Sequence, residues 1–290
     1  MKVLTEFPAS SASDNGPFHS RTVSARDGTG LVAYVSAGPI GAPNLLLVNA
    51  LGFPARFLEP LASQAVNCAT VITWDQRAMP GPGVSDGRGI VPGTQCNDLL
   101  DVLAAMGFDD LYAIAFCNGA EIALMAAIEL GPRKLRKLVT TNGHFSLSGV
   151  PNTANTTGLL NLLCSLRSSP ERLDAYYKVL NSASKKTLPV PEDVLKYPFR
   201  FGADKLLRLA NMLERLEQNA MDDWIGKVAV PVEVFIAEAD DVSHSAHSEA
   251  LCVRLPKAKM TRVADANHYS IYNDALYQSR LITAALNGGS

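Results

Sequence analysis

Short apolar runs of five or six residues recur along this chain, each followed by a longer amphipathic stretch, and that alternation limits the fold more than any other feature. Runs of that length, rich in Val, Ile and Leu, read as buried strands, whereas the longer stretches with apolar residues three and four apart read as helices. Strands separated by helices pair in parallel, because a parallel neighbour needs a crossover long enough to hold a helix. Predicted strands are Leu45–Asn49, Val71–Asp75, Leu111–Ala115, Lys137–Thr141, Val232–Ala237 and Lys259–Val263. Arg21–Ala25 and Leu31–Ser36, around the turn at Asp27-Gly28, form an opening hairpin. Predicted helices are Phe57–Val66, Gln95–Met106, Asn118–Leu130, Ser245–Leu255 and Ile271–Leu286. Gly107 ends the second of these and Gly131-Pro132 closes the third. From Phe145 to Trp224 no strand-like run occurs, only helical periodicities broken by Pro170, Pro189, Pro191 and Pro198. The expected class is α/β: a mostly parallel central sheet flanked by helices, with a helical lid inserted between late strands. The lid spans 145–224, and the core comprises 1–144 and 225–290, residues 1–15 being a loose leader.

A chain of 290 residues can bury a substantial core. Its net charge of −2 favours neither nucleic acid nor an anionic membrane as a partner. The start of the chain has neither the apolar run of a signal peptide nor that of a membrane span. The terminal Asn287–Ser290 reads as a flexible end. Cysteines at 68, 96, 117, 164 and 252 are odd in number and scattered, with no CxxC pair. A reduced, cytoplasmic setting follows, in which most thiols serve as small core groups. No cofactor or metal is expected.

Cys117 stands apart from the other four. Leu111–Ala115 ends just before it, and a helix begins just after it. A strand-to-helix turn with almost no loop strains its central residue and presents that side chain upward. Small neighbours are needed where the two backbones approach, and Ala115, Gly119 and Ala120 meet that need. The helix N-terminus favours the thiolate, and the backbone N–H of Asn118 is free to bind an oxyanion. Burial as a small apolar group is the ordinary fate of a free Cys; the elbow context argues for a nucleophile instead. Gly83-Val-Ser85-Asp-Gly87 matches the letters of a serine-esterase pentapeptide, but no strand precedes it and no helix follows, so Ser85 reads as a loop residue.

A thiol nucleophile needs a base, and the base an orienting acid. His268, after the last strand and before the last helix, is the candidate base. His19 lies too early, His144 precedes the lid, and His244 and His247 follow an earlier strand. Asp240, just past Val232–Ala237, is the expected acid, with Asp241 as runner-up. Asp240, Asp241, His244 and His247 also have the spacing of a metal site, but acids and histidines at a helix start need no metal. The loop after Leu45–Asn49 supplies a second oxyanion donor, the backbone N–H of Leu51. Phe53, Phe116 and Met79 are candidate pocket-lining residues, or ordinary core.

Taken together these segments resemble the α/β-hydrolase superfamily from about Val23 to Leu286. The resemblance carries Cys117 onto the family's nucleophile, Asp240 onto its acid and His268 onto its base. Trp74-Asp75-Gln76-Arg77-Ala78 is similar to the family's Asp-x-Arg-Gly loop, with Ala78 for Gly. Three departures stand out: Cys for Ser, Ala115 for Gly, and Asn49-Ala50 for His-Gly. An acyl group on sulfur is a thioester, so taking it from a phosphopantetheine or coenzyme A thioester is nearly isoenergetic. That pattern resembles the thioesterase-like aminoacyltransferases of nonribosomal peptide pathways. The implied partners are acyl or peptidyl carrier proteins and a small acyl or aminoacyl substrate. Arg133-Lys134, Arg136-Lys137 and Lys185-Lys186 are candidate docking clusters for such carriers, although simple solvated faces explain them better. The rival readings are a thioesterase, an ester or lactone hydrolase similar to dienelactone hydrolases, and a non-catalytic receptor on the same fold.

Overall fold

The computed structural model describes residues 18–77, 90–172, 174–175, 190–191 and 203–287. The strands are β1 (His19–Ser24), β2 (Gly30–Ser36), β3 (Asn44–Val48), β4 (Thr70–Trp74), β5 (Leu111–Phe116), β6 (Leu135–Thr141), β7 (Val232–Ala237) and β8 (Ala258–Val263). They pair in the order β1-β2-β4-β3-β5-β6-β7-β8. The pairings β1–β2 and β2–β4 are antiparallel, and every pairing from β4 to β8 is parallel. The helices are α1 (Glu59–Ala65), α2 (Pro92–Met106), α3 (Gly119–Lys134), α4 (Ala154–Ser168), α5 (Ala203–Glu217), α6 (Ser245–Arg254), α7 (Ser270–Asn273) and α8 (Ala275–Leu286).

Parallel strands are covered on both faces, which is why they read as unbroken apolar runs. Alternate residues of β3 show it. Leu46 and Val48 join the core under α2 and α3, while Leu45 and Leu47 join the core under α1 and α8. Buried Glu233 in β7 is matched by two ammonium groups, Lys137 at 2.8 Å and Lys259 at 2.9 Å. Lys137, one of the proposed docking cations, is therefore committed to the sheet, and Arg136 pairs with Asp110 at 2.8 Å. Lys185 and Lys186 lie outside the described residues.

Two predicted helices differ from expectation by more than a shift of their ends. The stretch Phe57–Val66 opens as a 3-10 turn over Ala55–Leu58 before α1 begins. The stretch Ile271–Leu286 is broken between α7 and α8, because Asp274 leaves the helical region (φ −119, ψ 102) and accepts the N–H groups of Leu276 and Tyr277. A side chain that satisfies two orphan N–H groups outweighs an apolar period running through it. The Gly131-Pro132 pair, expected to close α3, instead kinks it: Gly131 takes φ +63 and the helix resumes to Lys134. Between β6 and β7 the described residues are helical or irregular, in keeping with an inserted cap. Among the described residues no helix is long and apolar enough to cross a membrane.

Candidate active site

The winding of the sheet reverses between β3 and β5: the chain leaves β3 for β4 on one side, and β5 onward lies on the other. In open α/β sheets the crevice at the carboxyl ends of two such strands is where ligands bind. Leu51 follows β3 and Cys117 follows β5, so the expected oxyanion loop and the expected nucleophile meet at that crevice.

Cys117 takes φ +52, a left-handed conformation that costs a non-glycine residue about 1–3 kcal/mol. The neighbours hold it there. Its N–H donates to Thr141 O at the end of β6 (3.0 Å), and its carbonyl accepts the Ala120 N–H (3.1 Å). Gly119 allows α3 to sit against the β3 loop, because a Cβ there would lie 1.9 Å from the Asn49 carbonyl oxygen. Ala115 and Ala120 are fully buried on either side of the elbow. Of the other cysteines, Cys96 is buried in α2 and burial pushes its thiol up to about 12. Burial likewise raises Cys252 to about 11.

Cys117 behaves differently. Burial opposes its ionisation, but the charge and hydrogen bond of His268 outweigh burial and hold the thiol below its ordinary range. His144 and the Asn118 N–H act in the same direction. Burial likewise opposes charge on His268, yet the thiolate and the Asp240 carboxylate raise its pKa to about 10. Each group thus favours the charged form of the other. His268 Nδ1 donates to Asp240 Oδ2 at 2.8 Å, and both side chains are about 5% exposed. The other carboxylate oxygen accepts the backbone N–H groups of Val242 and Ser243, each at 2.8 Å. Asp240 is thus fixed toward the ring, whereas Asp241 is solvent-exposed. Phe116 packs beneath the His268 ring (centroids 5.0 Å apart) and against Phe57 (5.3 Å).

The two expected oxyanion donors are brought together, but they do not stand alike. The Leu51 N–H donates to the Asn118 side-chain oxygen at 2.8 Å, while the Asn118 N–H faces the sulfur. Of the pocket candidates, Phe116 is fully buried, Phe53 is half-buried against Phe57 (5.0 Å), and Met79, like Ser85, lies outside the described residues. A cavity of about 420 Å³ opens between the chain after β6 and the end of α5, lined by Phe145, Asn152, Glu217 and His247 among others. Neither Phe53 nor Phe116 borders it. Three of the four residues with metal-site spacing have other partners: Asp240 turns to His268, His244 caps α6 through the Ala246 N–H, and buried His247 bonds Asn152 and the Phe145 backbone. Asp75 accepts Tyr34 and the Ala55 N–H, and Arg77 pairs with Asp98 and Asp27, so the Asp-x-Arg segment ties β4 to its surroundings.

His144, which is not the expected base, lies close enough to the thiol for its charge to act on it. It is buried, its Nε2 lies 2.6 Å from a carboxylate oxygen of Glu217 at the end of α5, and its ring packs on His247 (4.5 Å). Burial disfavours its charge, but Glu217 and the Cys117 thiolate prevail and raise its pKa. His247, desolvated and packed on His144, falls to about 4. The signal was available in its position, just past β6, the strand to which the nucleophile's own N–H is bound.

Comparison with known proteins agrees with this architecture. A family model described as the alpha/beta hydrolase fold matches residues 52–275. No curated protein matches the sequence. Among solved structures, the esterase from Exiguobacterium antarcticum is similar with a TM-score of 0.73 at 14% identity, covering 91% of this chain and 98% of its own. The enol-lactonase from Burkholderia xenovorans LB400 gives 0.68 at 17%, with 91% and 98% covered. The 2-hydroxy-6-oxo-6-phenylhexa-2,4-dienoate hydrolase from Rhodococcus sp. strain RHA1 gives 0.70 at 15%, with 93% and 99% covered.

Proposed function

Because this chain belongs to the alpha/beta hydrolase fold family, we propose that it is an acyl-transfer enzyme working through a covalent thioester on Cys117. The observation that carries the proposal is the strained elbow at Cys117 (φ +52) above a His268–Asp240 pair bonded at 2.8 Å. The thiolate attacks the carbonyl carbon of an incoming thioester. The carbonyl oxygen gathers the charge and takes hydrogen bonds from the N–H groups of Leu51 and Asn118. His268, held by Asp240, donates its proton to the departing thiol and removes one from the next acceptor.

A sulfur nucleophile suits an acceptor that is itself a thiol, since the group then passes between thioesters of similar free energy. The reading therefore extends to an aminoacyl or other small acyl group moved between phosphopantetheine thiols on carrier proteins, under a helical cap that keeps water out. Hydrolysis of the same intermediate is the second reading, favoured by the esterase and the enol-lactonase to which the fold is similar.

The test is to incubate the protein with acyl- and aminoacyl-coenzyme A thioesters and with acyl-loaded carrier protein, and to take an intact mass. An adduct that is absent in Cys117→Ala and is discharged faster by added pantetheine than by water supports transfer. Discharge by water alone would leave hydrolysis. No adduct from any thioester would sink the acyl-enzyme.

A further inference from the structure

One of the two expected oxyanion donors, the Leu51 N–H, already has a partner within the protein. The Leu51 N–H points into the crevice and is taken by Asn118 Oδ1 at 2.8 Å. Only the oxygen end of a carboxamide can accept from an N–H, so this bond fixes which way the Asn118 amide faces. The loop that carries Leu51 has little freedom to turn the donor elsewhere. Asn49 Nδ2 donates to Pro54 O at 2.7 Å, Asn49 Oδ1 accepts the Ala50 N–H at 2.8 Å, and Asn49 O accepts Gln76 Nε2 at 2.8 Å. A second fact concerns the amide itself. Asn118 is the N-cap of α3, where an Asn side chain ordinarily accepts an N–H of the first turn. Here it makes no cap bond, and its oxygen is spent on Leu51 instead.

We propose that the Asn118 side chain is a gate on acylation, an internal stand-in for the oxyanion that an arriving carbonyl oxygen must displace. The proposal rests on Cys117 being the acylated nucleophile. In the resting site the Asn118 oxygen holds the place of the substrate oxygen. As the thiolate forms its bond to the carbonyl carbon, the carbonyl π pair moves onto oxygen, and that oxygen takes the Leu51 and Asn118 backbone N–H groups while the side chain swings out. Collapse returns the pair to the C=O bond and expels the leaving group, which takes the His268 proton. A substrate held by many contacts, such as an acyl group on a long pantetheine arm, overcomes the gate, whereas a small ester with few contacts does not. Asn118 is on this account a specificity-determining residue.

Two probes on the full chain separate the gate from the nucleophile. p-Nitrophenyl acetate acylates the sulfur and needs the oxyanion hole; iodoacetamide alkylates the same sulfur at a tetrahedral carbon and does not. The readout is the ratio of the two rates, which cancels any change in thiolate content or folding. Asn118→Ala is expected to raise the ratio about two- to tenfold, the fold-change set by the net worth of one hydrogen bond. Asn118→Asp keeps the shape and binds Leu51 more tightly, so it is expected to lower the ratio by about tenfold. An unchanged ratio in both variants would overturn the gate. A fall in Asn118→Ala would overturn it too, by making the amide a donor to the oxyanion. Alkylation without acylation, in wild type and Asn118→Ala alike, would defeat the acyl-enzyme reading, and the gate with it.

Discussion

Gly119→Ala puts one methyl group where the nucleophile elbow leaves no room. Its Cβ would lie 1.9 Å from the Asn49 carbonyl oxygen and 2.7 Å from the carbonyl carbon, against a closest approach of 3.0 Å in real structures. One backbone or the other must therefore retreat by about 1 Å, the shortfall to that limit. The Asn49 side is pinned by the three hydrogen bonds to Pro54, Ala50 and Gln76. The α3 side is pinned by β5, which sits between β3 and β6. Overpacking of this kind costs about 1–3 kcal/mol. For a chain of 290 residues that corresponds to a fall of roughly 2–5 °C in midpoint temperature. The retreat also shifts Cys117 relative to Leu51, and a misplacement of about 1 Å costs about 10²-fold in rate. The assay pairs thermal unfolding with single-turnover acylation of Cys117. A variant with the wild-type midpoint and wild-type acylation would refute the claim that close approach at Gly119 builds this site.

Two further changes probe the ionisable groups. Asp240→Asn should lower turnover by about 10²- to 10⁴-fold by releasing His268 from its tautomer and orientation, while Asp241→Asn should stay within about twofold; comparable losses in both would leave Asp240 without its role. Glu217→Gln strips His144 of its carboxylate, so the His144 pKa falls and Cys117 loses a cation. The lower limb of a plot of iodoacetamide alkylation against pH should then move upward. In wild type that limb lies below the ordinary thiol range, and the thiolate–imidazolium pair persists until His268 gives up its proton near pH 10. The same variant should lose about 1–3 kcal/mol in urea unfolding, less than a fully buried pair because Glu217 keeps 30% exposure. A limb that stays in place would separate His144 from the thiol.

The layering of the fold was legible because buried parallel strands declare themselves as continuous apolar runs. The elbow was legible because Leu111–Phe116, Cys117 and α3 are contiguous in the chain. That His268 and Asp240 meet was legible from the resemblance's chain order, each following a strand of the sheet. What stayed hidden depended on partners far apart in sequence. The His144–Glu217 pair joins residues 73 apart, and the Leu51–Asn118 bond joins residues 67 apart. No local period marks either contact. The break between α7 and α8 stayed hidden for the opposite reason: apolar residues at Ile271, Leu281 and Ile282 keep a helical rhythm that the Asp274 cap interrupts. For Phe116 the sequence leaves pocket wall and core as alternatives, and only its ring contacts, stacked on Phe57 and tilted against His268, place it in the core.

The central claim is that one sulfur carries the acyl group. A radiolabelled aminoacyl thioester mixed with the protein, quenched in acid within one turnover, digested and mapped, would locate that group. The account predicts label on the peptide containing Cys117 and on no other cysteine. Label on Ser85, on Cys68 or Cys252, or on no peptide at all, would contradict it.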